Sequence, residues 1–270
     1  MSFENKIIGF IGCGNMGSAM ISGILESKLV ESKNIFAAVK SKESALDKEN
    51  KLGIKVCCNN AEVAQKSDIL FLAVKPQFMD EILEEIKNEV SNDTVIISIA
   101  AGKDINYYEK KLGEDKKIIR AMPNTPSMVK EGMMGICINC NVQKEEIDMV
   151  KELCMGFSKT EVVPENLMGV VTAVSGSSPA YVFMFIEAMA DAAVLGGMPR
   201  KQAYEFAAQA VLGSAKMVLE TKKHPGELKD MVCSPAGTTI QAVKTLEKEG
   251  MRSAVFEAVE KCIEASNGLK

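Results

Sequence analysis

The chain has 270 residues, 47% of them hydrophobic and 25% charged, and a net charge of -4. That is the composition of an ordinary globular protein, long enough for one large domain or two modest ones burying about three-quarters of the unfolded surface. The lysines are scattered among acids and form no basic face, which argues against nucleic acid as a partner.

A first strand-like run at residues 7–11 is reached with no basic segment and no long apolar run before it, so neither a signal nor a transit peptide is expected and a cytoplasmic location is. Eight cysteines then read as reduced thiols. Cys137 and Cys140 form a lone C-x-x-C without a second pair at zinc spacing, and no metal site is expected.

The run at 7–11 leads into Ile11, Gly12, Cys13, Gly14, Asn15, Met16 and Gly17, and then into a small-residue helix start. Strand, tight turn and helix in that order give the glycines distinct tasks. Gly12 permits the turn, Gly14 lets backbone approach a pyrophosphate, and Gly17 allows close helix packing while the helix amides face the anion. A dinucleotide is the expected ligand, against the plainer alternative of a glycine-rich turn in an unrelated fold. Cys13 stands at a helix N-terminus, where a thiol tends to a lowered pKa; sensitivity to oxidation is a hypothesis that the sequence leaves open.

The second strand, at 35–39, ends without the acid that binds a ribose 2′-hydroxyl in NAD sites. Lys40, Ser41 and Lys42 stand there instead, offering charge and donors to a 2′-phosphate, so NADPH is favoured and NADH remains possible. Further strands are predicted at 69–74, 95–99, 118–121, 133–138 and 161–163, with helical periodicity between them, as in Phe78, Ile82, Leu83 and Ile86. Three loops follow strand ends, where open parallel sheets bind ligands. They are Ala73-Val74-Lys75-Pro76, Ala100-Ala101-Gly102 and Met122-Pro123-Asn124-Thr125-Pro126, whose small and rigid residues suit a nicotinamide ribose.

This alternation predicts an α/β fold, a mostly parallel doubly wound sheet of Rossmann type over residues 1–164. Residues 165–270 read as an all-helical domain. The apolar stretch 170–198, interrupted by Pro179, Glu187 and Asp191, is expected to be a helix buried all round, in a core or between subunits, rather than a membrane span, with Pro179 in a first turn and Gly196-Gly197 at its end. Later helices are expected from Pro199 toward Thr221 and at 226–232, 238–248 and 251–266. So much apolar surface predicts an oligomer built through this half. Ser234-Pro235-Ala236-Gly237-Thr238-Thr239 sets hydroxyls and free amides at a helix N-terminus, either as a carboxylate site or as simple capping. The single histidine, His224, falls in a turn and reads as a surface residue.

Taken together, the motif Gly9 through Gly17, Ala73 through Pro76, Met122 through Pro126, Ser175-Gly176-Ser177-Ser178-Pro179-Ala180-Tyr181 and Ser234 through Thr239 resemble pyrroline-5-carboxylate reductase, in order along nearly the whole chain. The resemblance implies a Rossmann domain and a helical dimerisation domain that interlocks with a partner's, often in rings of dimers. It implies NAD(P)H-dependent reduction of 1-pyrroline-5-carboxylate to L-proline, the last step of proline biosynthesis, by hydride transfer to the imine carbon. By the same resemblance Ser234, Gly237, Thr238 and Thr239 hold the substrate carboxylate, with Glu165, Ser177 and Val232 completing the substrate set. Thr239 is the catalytic candidate near the ring nitrogen, and Asn60 contacts the adenosine ribose. Two departures stand out: Val39-Lys40 where the family shows Ser or Thr with Pro, and Ala236 in place of a glycine.

Two rivals are weaker. A β-hydroxyacid dehydrogenase resembles this plan but uses a lysine on the first interdomain helix, and residues 169–199 contain no Lys, Arg or His. A non-catalytic NADP-binding sensor would have no use for a carboxylate-binding turn.

Overall fold

The computed structural model describes residues 3–268. They form two compact units, one running to Ser177 and resuming at Cys262, the other Ser178–Lys261. The first unit alternates β1 (Ile8–Ile11), α1 (Asn15–Ser27), β2 (Ile35–Ala38), α2 (Lys42–Leu52), β3 (Lys55–Cys57), α3 (Asn60–Lys66), β4 (Ile69–Leu72) and α4 (Met79–Ile86). It continues through β5 (Val95–Ser98), α5 (Ile105–Leu112), β6 (Lys117–Met122), β7 (Gly132–Ile138), α6 (Lys144–Cys154), β8 (Ser158–Val162) and α7 (Met168–Val171).

The strands order as β3-β2-β1-β4-β5-β6-β7-β8, all pairs parallel except β6 with β7. Strands covered on both faces need apolar side chains throughout, and β1, β4 and β5 are buried at every position. One core cluster joins Ile8, Phe10 and Phe71 to Met20 and Ile24 of α1 and to Val150 and Leu153 of α6. The other joins Ile11, Leu70 and Leu72 to Leu83 of α4 and Tyr108 of α5. The sheet is therefore doubly wound, as expected.

Helix boundaries follow local chemistry. The Ser41 hydroxyl accepts from the Ser44 amide at 3.2 Å to start α2, and Gly53 at φ 66° ends it. Asp104 caps α5 through the Tyr107 amide at 2.8 Å. Two strand expectations need correction. β3 was not anticipated, being a three-residue edge strand with only Val56 buried. The last strand begins at Ser158 rather than 161, because its register pairs Gly132 with Ser158 and Ile136 with Val162.

The second unit contains α8 (Ser178–Leu195), α9 (Arg200–Thr221), α10 (Pro225–Val232), α11 (Thr238–Lys248) and most of α12 (Met251–Gly268). Its core is small: Ala190, Ala203 and Ala207 are buried, with Ile186, Met189 and Val194 packed partly against them. The expected all-round burial of the 170–198 stretch does not hold within one chain. Phe183 is 63% exposed and Met184 70%. Pro179 falls in the first turn of α8, as expected, and the helical run Glu165–Leu195 to which α8 belongs is by length and composition sufficient to cross a membrane. It passes through a π turn at Thr172–Gly176.

Candidate active site

A crevice of about 520 Å³ opens where β1 and β4 diverge into their following helices, the crossing point at which doubly wound sheets bind ligands. Gly12 adopts φ 94°, and a Cβ there would lie 2.6 Å from the Ala73 carbonyl oxygen. At Gly17 a Cβ would lie 2.7 Å from the Gly12 carbonyl, so the helix can pack this closely only without one. Gly14 has nothing within 4 Å of a Cβ position, which leaves the amides at the start of α1 open to an approaching anion. All three glycines occupy the places their spacing implied.

Of the expected cofactor residues the crevice gathers Gly12, Cys13, Gly14, Lys40, Asn60, Ala73, Val74 and Lys75. Ile11 lies in β1, Asn15, Met16 and Gly17 in the first turn of α1, and Pro76 just past the lining. Ser41 and Lys42 do not line it, because Ser41 is spent on the α2 cap and Lys42 is the first helical residue. Ala100, Ala101 and Gly102 follow β5, one strand beyond the crossing, and are not part of it either.

Sequence reasoning missed Ser44 and Lys48, four apart on one face of α2. Lys48 Nζ donates to Ser18 Oγ at 3.1 Å, and Ser18 Oγ donates to the Cys13 carbonyl at 3.2 Å, directing an ammonium toward the glycine turn. Glu81 and Glu85 of α4 also line the crevice, and Glu85 accepts from Asn60 Nδ2 at 2.6 Å.

Cys13 overturns its expectation. Its side chain is 4% exposed in the core beneath the turn, and burial pushes the thiol pKa up against smaller opposing pulls from Ser18 and Lys48. Cys137 is likewise buried in β7 and pushed up to about 12, while Cys140 is exposed. Among the described residues no group of three or more His, Cys, Asp or Glu is gathered for a metal.

In the helical unit, α11 starts from Gly237 in extended conformation with no side chain capping its amides. Simple capping is thus not what the hydroxyls do: the N–H groups of the first turn remain available to a ligand. Ser234 Oγ lies over Gly237, where a Cβ would collide with it, and the Ser234 carbonyl accepts the Gly237 amide at 3.0 Å. Ala236 takes φ 58° to close this bend. Thr239 is half-buried in the first turn of α11, Thr238 is exposed, and Val232 is 65% exposed at the end of α10. His224 is exposed and caps α10, accepting the Gly226 amide on Nδ1 at 3.0 Å.

Glu165, of the expected substrate set, lies in the first unit. Its Oε1 accepts from the Ile105 amide at 2.8 Å and from Arg120 Nη1 at 3.3 Å, beside a separate cavity of about 760 Å³. Ser177 Oγ accepts from Cys262 Sγ at 3.3 Å.

A family model for pyrroline-5-carboxylate reductase dimerisation matches residues 165–269, and one for NADP oxidoreductase, coenzyme F420-dependent, matches residues 7–102. The chain is 53% identical to the pyrroline-5-carboxylate reductase of Escherichia coli (strain K12) over 98% of both chains. The chain belongs to the pyrroline-5-carboxylate reductase family. Solved reductases agree: the Plasmodium falciparum enzyme with NADP bound matches at TM-score 0.88 and 33% identity over 98% of both chains. That from Coxiella burnetii matches at TM-score 0.92 and 32% identity over 99% of both. As a member of this family the chain is an NAD(P)H-dependent oxidoreductase that reduces 1-pyrroline-5-carboxylate to L-proline, and its helical half serves dimerisation. The exposed apolar side chains of α8 and α9 thereby gain a reason, since a dimer face must be apolar before it is covered.

Proposed function

We propose that the reaction is divided between the two sites just described, with the crevice at the β1–β4 crossing holding NADPH and the turn before α11 holding the substrate carboxylate. The observation that carries this reading is the pairing of two uncapped helix N-termini, α1 behind Gly14 and α11 behind Gly237. Each presents free amides to an anion, the pyrophosphate in one case and a carboxylate in the other.

The residues fit the cofactor: Gly14 leaves room for a pyrophosphate, Lys40 and Lys48 supply positive charge for phosphates, and Asn60 with Glu85 faces the crevice where a ribose would lie. Ala100, Ala101 and Gly102 extend this set along the sheet edge toward the nicotinamide. Lys40 and Lys48 favour NADPH over NADH. When bound, the reduced nicotinamide supplies the hydride that adds to the imine carbon.

The chain's own residues bind and orient. The amides of Thr238 and Thr239 and the Ser234 hydroxyl hold the carboxylate, Val232 gives an apolar surface to the ring, and the Thr239 hydroxyl holds the proton on the ring nitrogen. Ser177 and Glu165 of the first unit complete the proposed substrate set, Glu165 by fixing Ile105 and Arg120. No strong acid is needed if the imine arrives protonated, and His224, committed to capping α10, is not one. Orientation then supplies most of the acceleration, an effect that reaches about 7–11 kcal/mol in favourable cases.

The same reading makes the protein a cytoplasmic homodimer, assembled further as a ring of dimers, without nucleic acid or membrane as partner. Mixing the purified chain with NADPH and 1-pyrroline-5-carboxylate should consume reduced cofactor stoichiometrically with proline formed. Tight NADPH binding with no turnover would reject the reading in favour of a sensor. A native mass equal to one protomer would reject the assembly.

A further inference from the structure

The loop Met122–Pro126 follows β6 on the edge of the sheet where ligands bind, and one of its side chains is anchored in an unusual way. Asn124 is 8% exposed in extended backbone. Its Oδ1 accepts from the Met133 amide at 2.9 Å, and its Nδ2 donates to the Ser175 carbonyl at 3.0 Å. Both partners are backbone atoms.

The need for the second bond is written into the sequence. In an α-helix the carbonyl of Ser175 would receive the N–H of residue 179, but that residue is Pro179, which has none. The helix answers with a π turn at Thr172–Gly176, in which the Ser177 amide reaches back five residues to the Thr172 carbonyl at 2.8 Å. Ser175 Oγ donates to the Val171 carbonyl at 2.8 Å, as serines do where helices bend. The Ser175 carbonyl, which Pro179 deprives of its α-helical donor, accepts from outside the helix, from Asn124. Contact continues beside it, for a Cβ on Gly176 would sit 3.9 Å from Met122 Sδ.

We propose that Asn124 is a positioning residue for imine reduction: its carboxamide stands in for the amide hydrogen that Pro179 lacks, and so fixes the 122–126 loop against the Ser175–Ser177 turn. The inference rests on the proposed placement of the nicotinamide end beside these strand-end loops. A loop free to shift by about an ångström at a reacting centre can cost 100-fold in rate.

Asn124→Ala is therefore expected to lower kcat about 10- to 100-fold while the KM for NADPH stays within about twofold. Asn124→Asp keeps the acceptor for Met133 but turns a second oxygen toward the Ser175 carbonyl. Once protonated, that oxygen becomes a donor. Burial and the facing carbonyl hold that carboxyl above the usual carboxylate range, so the variant's kcat relative to the parent is expected to rise several-fold as pH is lowered from 8 toward 5, with no such rise for Asn124→Ala. Pro179→Ala returns an N–H to the helix, so in that background Asn124→Ala should cost clearly less than in the parent.

An Asn124→Ala variant with parental kcat, additive effects of the two alanines, or pH profiles alike for Asn124→Asp and Asn124→Ala would each overturn the proposal. Should Asn124→Ala fail to fold, the Asn124→Asp profile decides alone, and one that runs parallel to the parent's overturns the proposal. The parent is assayed in parallel, since an inactive parent refutes the reaction itself, whereas an active parent with an indifferent Asn124 refutes only this role.

Discussion

Ala236 offers the sharpest test of how backbone strain is stored in the turn proposed to hold the substrate carboxylate. It sits at φ 58°, and the other non-glycine residues at positive φ, Lys28, Lys130 and Lys222, all terminate helices. A left-handed alanine costs about 1–2 kcal/mol through the clash of its Cβ with backbone. Replacing it by glycine removes that cost but restores about 0.4–1 kcal/mol of unfolded-chain entropy. Ala236 is exposed, so no packing is lost. The net expectation for Ala236→Gly is a stabilisation of about 0.8 kcal/mol, the middle of a span from about 0 to 1.6. For a chain of this size that corresponds to a rise of roughly 1–4 °C in melting temperature.

The assay is urea or thermal unfolding at one fixed protomer concentration, because dissociation of an oligomer couples to unfolding. Ala236→Val is the opposing control, with a branched Cβ that should lose at least a further 1 kcal/mol or so. The KM for the imine should change little in the glycine variant, since the backbone already adopts the required shape. A glycine variant less stable than the parent, or a valine variant equal to it, would refute the strain argument.

Other expectations follow from the same geometry. Gly14→Ala should fold with near-parental stability yet raise the KM for NADPH at least tenfold, whereas Gly12→Ala, forced against the Ala73 carbonyl, should lose several degrees of melting temperature. Lys48→Gln should weaken NADPH binding several-fold, read by cofactor fluorescence, because a cation near the glycine turn is lost. Alkylation followed by mass spectrometry should modify exposed Cys58 and Cys140 well before Cys13, and NADPH should protect Cys58, which lines the crevice, but not Cys140. Thr239→Ala should lower kcat by at least tenfold while Thr239→Ser retains most of it, and unaltered turnover in the alanine variant would remove the hydroxyl from the mechanism.

Much of this architecture was legible because parallel strands buried on both faces, such as Ile69–Leu72, must be apolar at every residue. Glycine positions were legible for a related reason, since only a missing Cβ allows the approaches found at Gly12 and Gly17. What stayed hidden depends on direction rather than identity. Lys48 lies six residues beyond Lys42 in the chain, yet the turn of α2 brings it to the crevice while Ser41 is drawn into a cap. Cys13 sits at a helix N-terminus by sequence, but its side chain points down into the core, and burial outweighs the dipole. Glu165 meets Ile105 and Arg120 across the fold, pairings that no local spacing could reveal.

The first compact unit does not close until the segment from Cys262 onward has joined it, where Cys262 meets Ser177 and Asn267 packs beside Gly169. On the ribosome, the sheet and both of its core clusters, which draw on no residue beyond Val171, can form before the helical insert is translated, and only the Cys262 and Asn267 contacts must wait. Shortening α12 from its far end would consequently strip the contact at Gly169 first and the one at Ser177 next, leaving the core clusters of the sheet whole.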